Sequence, residues 1–276
     1  MRRSDDFCDR AAPTQRPRMT QPRHVLVTGA SSGLGAALAR HYARRRCALS
    51  LFGRDEERLE ETARDCRAAG AVVVSYACDL RDGCGAARQL VAADLHAPVD
   101  VLLANAGVGG ARALARGAGE TVEQARALVD NNLLTVINTV APLAPRMAAR
   151  GDGQIVLMGS IAGLVGLPHA PVYCAAKSAV HLYGEALRRR LHGSGVGVTV
   201  VCPGFVDTPM SASLPTARPF LWSADRAAAR IAAALEKRRR VLIFPWQLRW
   251  AVAAARLLPA ALVDRLIAAS NVEAAA

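Results

Sequence analysis

The chain has 276 residues, of which 52% are hydrophobic and 21% charged, so it is long and apolar enough to bury one sizeable core. Its formal net charge of +12 comes mainly from arginines that are scattered along the chain and are not interleaved with aromatic residues. This pattern argues against a nucleic-acid partner and indicates a solvated basic surface. Seven cysteines without a CxxC pair favour a reducing, cytoplasmic location over a disulfide framework.

Short apolar runs alternate with segments of helical length from His24 onwards, after a non-periodic stretch at 1–22 that we expect to be a disordered leader. The runs are continuous rather than alternating, which is typical of parallel strands buried on both faces. We predict strands at 24–28, 48–52, 72–77, 99–104, 154–158, 196–201 and 241–244, and helices at 34–46, 55–69, 119–149, 173–192 and 223–237. This order predicts one α/β domain over 23–245, with a doubly wound, mostly parallel seven-stranded sheet and helices on both faces.

A glycine-rich turn follows the first predicted strand and opens a helix. It reads Thr28-Gly29-Ala30-Ser31-Ser32-Gly33-Leu34-Gly35, a TGxxxGxG spacing. Glycines allow main-chain N–H groups to approach a pyrophosphate closely, and the helix N-terminus adds partial positive charge. The position on the first strand–turn–helix unit predicts a dinucleotide site formed by Gly29, Ser31, Ser32, Gly33, Leu34 and Gly35.

This motif resembles that of the short-chain dehydrogenase/reductase family, and the resemblance extends over about residues 28–210. Asn105-Ala106-Gly107 after the fourth strand is similar to the family's NAG motif, although Ala104 stands where asparagine is commoner. The resemblance implies a Rossmann-like fold, an adenine contact at Asp79 and Leu80, and a dinucleotide contact at Asn105, Ala106 and Gly107. It also implies that the turn Pro203-Gly204-Phe205-Val206-Asp207-Thr208 holds the nicotinamide through Pro203, Gly204, Val206 and Thr208.

The end of the second strand indicates which dinucleotide is bound. An NAD site needs an acidic residue there for the ribose hydroxyls, but the sequence reads Phe52-Gly53-Arg54. The Arg54 guanidinium is suited to a 2′-phosphate, so we predict NADP(H) as the cofactor. The alternative, in which Asp55 serves NAD(H), remains open.

Tyr173 and Lys177 are four residues apart and are expected on one face of a helix. A nearby ammonium favours the phenolate, so the tyrosine is predicted to exchange a proton with the substrate near neutral pH. The resemblance assigns Ser160 to the substrate oxygen and Asn132 to a water that links to Lys177. Asn131 is a rival to Asn132, but the D-x-N register favours Asn132. The predicted catalytic set is therefore Asn132, Ser160, Tyr173 and Lys177, and no histidine has metal-ligand spacing.

Three loops, at 108–118, 164–171 and 209–224, are predicted to leave the carboxyl ends of the strands and frame the substrate cleft. The last loop is apolar, which indicates a hydrophobic carbonyl or alcohol as the small-molecule substrate. His169 precedes Tyr173 closely and is a candidate pocket residue, because loops often carry binding residues.

The tail at 246–276 combines tryptophans, arginines and apolar runs, and it is too short and too interrupted to span a bilayer. One interpretation is a helical cover over the cleft or a subunit contact; the other is peripheral contact with a membrane surface. We favour the first. The family resemblance implies a homodimer or homotetramer that packs through 119–149 and 173–192.

Together these features predict an NADPH-dependent oxidoreductase that transfers a hydride to a substrate carbonyl, with Tyr173 as the proton donor. Two alternatives remain: an NAD-dependent alcohol dehydrogenase that runs towards oxidation, and a non-catalytic NADP-binding scaffold or sensor. The complete four-residue catalytic set favours an enzyme.

Overall fold

The computed structural model describes residues 21–109, 120–214, 217–255 and 257–272. Most of the predicted leader and most of the loop 108–118 lie outside these ranges. The strands are β1 His24–Thr28, β2 Ala48–Gly53, β3 Val73–Ala77, β4 Val101–Ala104, β5 Gln154–Met158, β6 Gly197–Pro203, β7 Val206–Asp207, β8 Trp222–Ser223 and β9 Val241–Phe244. The α-helices are α1 Gly33–Ala43, α2 Glu56–Ala68, α3 Gly83–His96, α4 Val122–Val129, α5 Thr135–Val140, α6 Ala144–Arg150, α7 Pro171–Arg190, α8 Pro209–Ala212, α9 Ala224–Glu236, α10 Trp246–Ala255 and α11 Ala260–Val272.

Seven strands form one sheet in the order β3-β2-β1-β4-β5-β6-β9, and every pair in it is parallel. The predicted doubly wound α/β fold is confirmed. The order in which the strands are added reverses at β1, which pairs with β2 on one side and β4 on the other. In folds of this kind, ligands bind at the carboxyl ends of the strands beside this switch point.

The core lies in two layers, one on each face of the sheet. One layer holds buried side chains of α1, α2 and α9 against the sheet, and the other holds those of α3, α5, α6 and α7. All five residues of β1 and of β5 are buried, which accounts for their continuous hydrophobicity. Because helices cover both faces of the sheet, a ligand can reach the sheet at the carboxyl ends of its strands but not on a face.

Two helical segments differ from the sequence prediction. Helix α3 was not predicted, because Gly83 and Gly85 weaken its first turn. It forms nevertheless, since the Asp82 carboxylate caps it by accepting from the Gly85 N–H at 3.1 Å. The predicted helix at 119–149 is divided into α4, a π-helical turn Asp130–Leu134, α5 and α6. Pro142 interrupts its second half, because proline cannot continue the helical hydrogen bonding.

The tail forms two helices, α10 and α11, with Pro259 immediately before α11. Among the helices of the described ranges, none combines the length and apolarity needed to cross a membrane.

Candidate active site

The glycines of the turn between β1 and α1 are required by its backbone conformation and by close contacts. Gly29 and Gly33 adopt left-handed φ angles of +66° and +55°, and a side chain on Gly35 would overlap the carbonyl oxygen of Gly29. The first turn of α1 contains no acidic residue. This turn borders the cleft, and the first N–H groups of a helix have no partners within it, so the turn can serve as an anion-binding cradle for a pyrophosphate.

The Thr28 hydroxyl joins this cradle to the turn after β4. It accepts hydrogen bonds from the N–H groups of Asn105 at 3.0 Å and Ala106 at 3.2 Å, while Asn105 Nδ2 donates to the Thr28 carbonyl oxygen at 3.0 Å. A side chain on Gly29 would lie 2.9 Å from the Ala106 Cα. The two strand ends at the switch point are thus held together, a role of Thr28 that sequence reasoning missed.

Asn132 lies in the π-helical turn between α4 and α5 and is fully buried. Its Nδ2 donates to the Leu128 carbonyl oxygen at 3.0 Å, and its Oδ1 accepts from the Val108 N–H at 3.2 Å. The neighbouring Asn131 Nδ2 donates to the Ala127 carbonyl oxygen at 2.7 Å, so both asparagine side chains are bonded to the preceding helical turn. Asn131 and Asn132 both line the cleft, but it is Asn132 that faces the glycine-rich turn after β4.

Asn132 and Lys177 converge on Gly107. A side chain on Gly107 would lie 2.8 Å from Asn132 Oδ1 and 3.4 Å from Lys177 Nζ, so glycine is required for their approach. The Lys177 ammonium donates to the Met158 carbonyl oxygen at 3.0 Å and lies 5.9 Å from the centroid of the Tyr173 ring. The Met158 carbonyl was not foreseen as its partner, since a backbone acceptor leaves no side-chain signal in the sequence.

Ser160 follows β5 and lies on the same wall of the cleft as Tyr173. Its hydroxyl accepts from the Ala162 N–H at 3.1 Å, which caps the short 3₁₀ turn Ile161–Gly163. A side chain on Gly163 would lie 2.6 Å from the Lys177 carbonyl carbon. The turn therefore packs directly on α7, and all four predicted catalytic residues border one cleft.

The pKa of Tyr173 differs from the sequence prediction. Loss of hydration lowers the pKa of Lys177 to about 8. It also raises the pKa of Tyr173 above its usual value, and a hydrogen bond with Ser160 opposes this only in part. The structure therefore does not show the lowered tyrosine pKa that the sequence suggested, because burial is the largest influence on this phenol.

The end of β2 places Arg54 on the cleft. Asp55 is already engaged, because its carboxylate caps α2 by accepting from the Arg58 N–H at 3.1 Å and lies 3.4 Å from Arg58 Nε. Arg58 also lines the cleft and was missed by the sequence analysis, although its place one helical turn after Arg54 was a usable signal. The structure thus presents two guanidinium groups where a nucleotide ribose is expected.

The Asp79 carboxylate borders the same end of the cleft. Hydrogen bonds from Arg81 hold the pKa of Asp79 below its usual value, with the Arg81 N–H 3.0 Å from Oδ1. Leu80 beside it is buried, and its carbonyl oxygen accepts from Asn138 Nδ2 at 2.8 Å.

The turn after β6 forms the opposite end of the cleft, where Pro203, Gly204, Val206 and Thr208 all line it. Gly204 has no room for a side chain, because one would lie 2.6 Å from Leu248 Cδ1 in α10. The tail thus packs against the turn predicted to hold the nicotinamide. Leu248 and Val252 of the tail line the cleft, which the sequence did not reveal.

The cleft has a volume of about 1460 Å³ and extends from Arg54 and Asp79 to Tyr173 and the tail. This exceeds the usual range of roughly 300–1,000 Å³ for small-molecule pockets, so it has room for a dinucleotide together with a substrate. The glycine cradle, the helix N-terminus and the two arginines fit such a cofactor. Across the described residues, no group of His, Cys, Asp or Glu side chains has a geometry that could hold a metal ion.

A parallel doubly wound sheet with a phosphate cradle and a Tyr/Lys wall at its carboxyl edge defines a dinucleotide-binding protein. The family model described as "short chain dehydrogenase" matches residues 23–219. An uncharacterized oxidoreductase of Myxococcus xanthus is 34% identical over 243 residues, which cover 88% of this chain and 95% of the relative.

Two solved structures share the fold. A short-chain dehydrogenase/reductase from Burkholderia phymatum in complex with NAD has a TM-score of 0.76 and 27% identity, covering 85% of this chain and 94% of its own. A variant of the actinorhodin polyketide ketoreductase with NADPH has a TM-score of 0.72 and 30% identity, covering 82% and 97%. The chain belongs to the short-chain dehydrogenase/reductase family and is an NAD(P)-dependent oxidoreductase.

Proposed function

We propose that this protein is an NADPH-dependent reductase that converts a hydrophobic carbonyl compound into an alcohol. The observation that carries the proposal is the continuous cleft, which has a cationic end at Arg54 and an apolar end beside Ser160 and Tyr173. The similarity to a polyketide ketoreductase with NADPH supports polyketide-type ketones as the substrate class.

The predicted cofactor residues suit successive parts of NADPH. The cradle residues Gly29, Ser31, Ser32, Gly33, Leu34 and Gly35 would hold the pyrophosphate, and Arg54 would pair with the 2′-phosphate. The adenine would contact Asp79 and Leu80, while Asn105, Ala106, Gly107, Pro203, Gly204, Val206 and Thr208 would hold the remainder. NADPH supplies the hydride for the reaction.

The proton comes from the protein. Tyr173 keeps its proton at neutral pH, since burial raises its pKa, and can donate it to the substrate carbonyl oxygen. Ser160 donates a hydrogen bond to the same oxygen as negative charge develops there. The Lys177 ammonium stabilises the tyrosinate that remains, and Asn132 helps to return a proton to it.

Two alternatives use the same cleft. An NAD-dependent dehydrogenase is disfavoured because Asp55, the acid nearest the ribose site, already caps α2. A non-catalytic scaffold or sensor is disfavoured because the four predicted catalytic residues border one cleft. We further propose that 23–245 forms the catalytic domain of a cytoplasmic enzyme and that the tail from 246 onwards covers its cleft.

The test is oxidation of NADPH and NADH in the presence of hydrophobic ketones and β-keto esters. We expect turnover with NADPH, and an Arg54→Asp variant should lose about 10- to 100-fold in kcat/KM for NADPH, because a charge-assisted hydrogen bond contributes about 1.5–3 kcal/mol. Arg64→Asp makes the same charge change on the exposed face of α2, away from the cleft, and is the matched control. Equal losses in both variants, or a preference for NADH, would contradict the NADPH assignment.

A further inference from the structure

His169 lies on a tight turn that is fixed to the helix carrying Tyr173. The Ala170 N–H donates to the Leu167 carbonyl oxygen at 3.1 Å, and the Leu167 N–H donates to Cys174 Sγ at 3.3 Å. Pro168 restricts the backbone at the second position of this turn. The backbone at His169 is therefore held in a defined place relative to α7, the helix that carries Tyr173.

The cleft-lining residues next to His169 in the chain are apolar, namely Val165, Leu167 and Ala170. The same cleft is also lined by Ile161, Met210, Leu248 and Val252. Ser211 also lines the cleft, but its hydroxyl already donates to the Val206 carbonyl oxygen at 2.6 Å. The His169 ring makes no hydrogen bond or ion pair to any other residue of the described ranges.

A polar ring in an apolar wall loses hydration when a substrate covers it, which is unfavourable unless the substrate supplies a hydrogen bond. Desolvation lowers the pKa of His169, so its imidazole is neutral at physiological pH. A neutral imidazole offers one donor and one acceptor nitrogen. It can therefore pair with a neutral carbonyl, ester or hydroxyl oxygen and does not require an anionic ligand.

We propose that His169 is a specificity-determining residue, which hydrogen-bonds a second oxygen of the substrate, separate from the carbonyl that is reduced. This inference rests on the proposed function and narrows its substrate class. The substrate is then an apolar carbonyl compound with a second hydrogen-bonding oxygen, for example a β-keto ester or thioester. A monofunctional ketone would leave the imidazole unpaired and bind less well.

The test compares two probes with chains of equal length, methyl 3-oxohexanoate and 4-octanone. The second replaces the ester group of the first by two methylene groups. His169→Phe should lower the ratio of kcat/KM for the keto ester to that for the ketone about tenfold, the upper range for one hydrogen bond. His169→Gln, which retains a hydrogen-bonding group, should recover most of that ratio. His96→Phe makes the same substitution at an exposed histidine outside the cleft and should leave the ratio as in the wild type.

The binding of both probes is measured as well, in Tyr173→Phe protein saturated with NADPH, where turnover does not interfere. Adding His169→Phe to this protein should weaken the binding of the keto ester about tenfold relative to the binding of the ketone. An unchanged relative affinity would overturn the role of His169, even if the enzyme reduces both probes. A wild-type enzyme that reduces neither probe would count against the proposed function, while the binding comparison would still decide the role of His169.

Discussion

Lys177 shows how burial sets the chemistry of a single side chain. The residue is only 4% exposed, and the Met158 carbonyl oxygen accepts a hydrogen bond from its ammonium at 3.0 Å. Burial lowers the pKa of Lys177 to about 8 and moves the pKa of Tyr173 upwards. The two groups thus remain protonated together at neutral pH, which is the state that carbonyl reduction requires.

The lowered lysine pKa predicts a pH dependence. Lys177 is charged below about pH 8 and neutral above it, while Tyr173 keeps its proton to higher pH because its own pKa is raised. We therefore expect kcat/KM for carbonyl reduction to be level from pH 6 to about 7.5 and to fall above about pH 8, since kcat/KM reports the free enzyme. In Lys177→Arg, the residual activity should lack this fall, because the guanidinium stays charged. A wild-type profile that is flat to pH 10 would contradict the role given to the ammonium.

At the scale of elements, buried strands were predictable and locally weak helices were not. The bounds of β1, β5 and β9 match the apolar runs, because parallel strands covered on both faces are continuously hydrophobic. Helix α3 was missed because its stability comes from the Asp82 cap and the buried Leu90 rather than from the propensity of its first turn. The burial of Leu90 is a tertiary contact, and such contacts can outweigh a weak local helix propensity.

The residues of the candidate site can likewise be separated into those that the sequence predicted and those that it did not. The residues at strand ends were predicted because they lie in short motifs that resemble those of the family and follow the predicted strands. The contact between Leu248 and Gly204 was not predictable, since it joins the tail to a turn more than forty residues earlier in the chain. The π-helical turn at Asn132 was also missed, because its stabilising side-chain bonds become visible only in three dimensions.

The glycine cradle yields a prediction about one element. Gly35→Ala would place a methyl group against the Gly29 carbonyl oxygen, so the turn must open by displacing backbone. Overpacking of this kind costs about 1–3 kcal/mol, and we expect a lower Tm and at least tenfold weaker NADPH binding by fluorescence titration. Gly166→Ala, where no atom lies within 4 Å of the added carbon, should behave as the wild type. Wild-type NADPH affinity in Gly35→Ala would refute the assignment of the cradle to the cofactor.

At the scale of the whole molecule, α4 and α7 pack side by side and expose large apolar side chains. Val122 on α4 is 66% exposed and Leu182 on α7 is 63% exposed, and Leu134 in the π-helical turn after α4 is 40% exposed. Apolar side chains grouped on neighbouring helices are typical of a subunit interface. They support the prediction, made from the family resemblance, that two or four chains associate through these helices.

Leu182→Glu tests this association. A charge in the centre of the expected interface should convert the oligomer into monomers at micromolar concentration, as measured by size-exclusion chromatography with light scattering. Leu95→Glu introduces the same change at a residue that is 68% exposed on α3 and should leave the oligomer intact. A monomeric wild-type protein would show that these helices do not form the interface.

The central claim, that Tyr173 protonates a carbonyl during NADPH-dependent reduction, is tested most directly by the rate of NADPH oxidation in Tyr173→Phe. We expect kcat to fall by about 10²- to 10⁴-fold, the usual contribution of general acid catalysis, with little change in NADPH affinity. Tyr183→Phe removes a hydroxyl from the same helix outside the cleft and should retain turnover. Full turnover in Tyr173→Phe would contradict the account, as would a wild-type protein that binds NADPH and reduces no carbonyl compound.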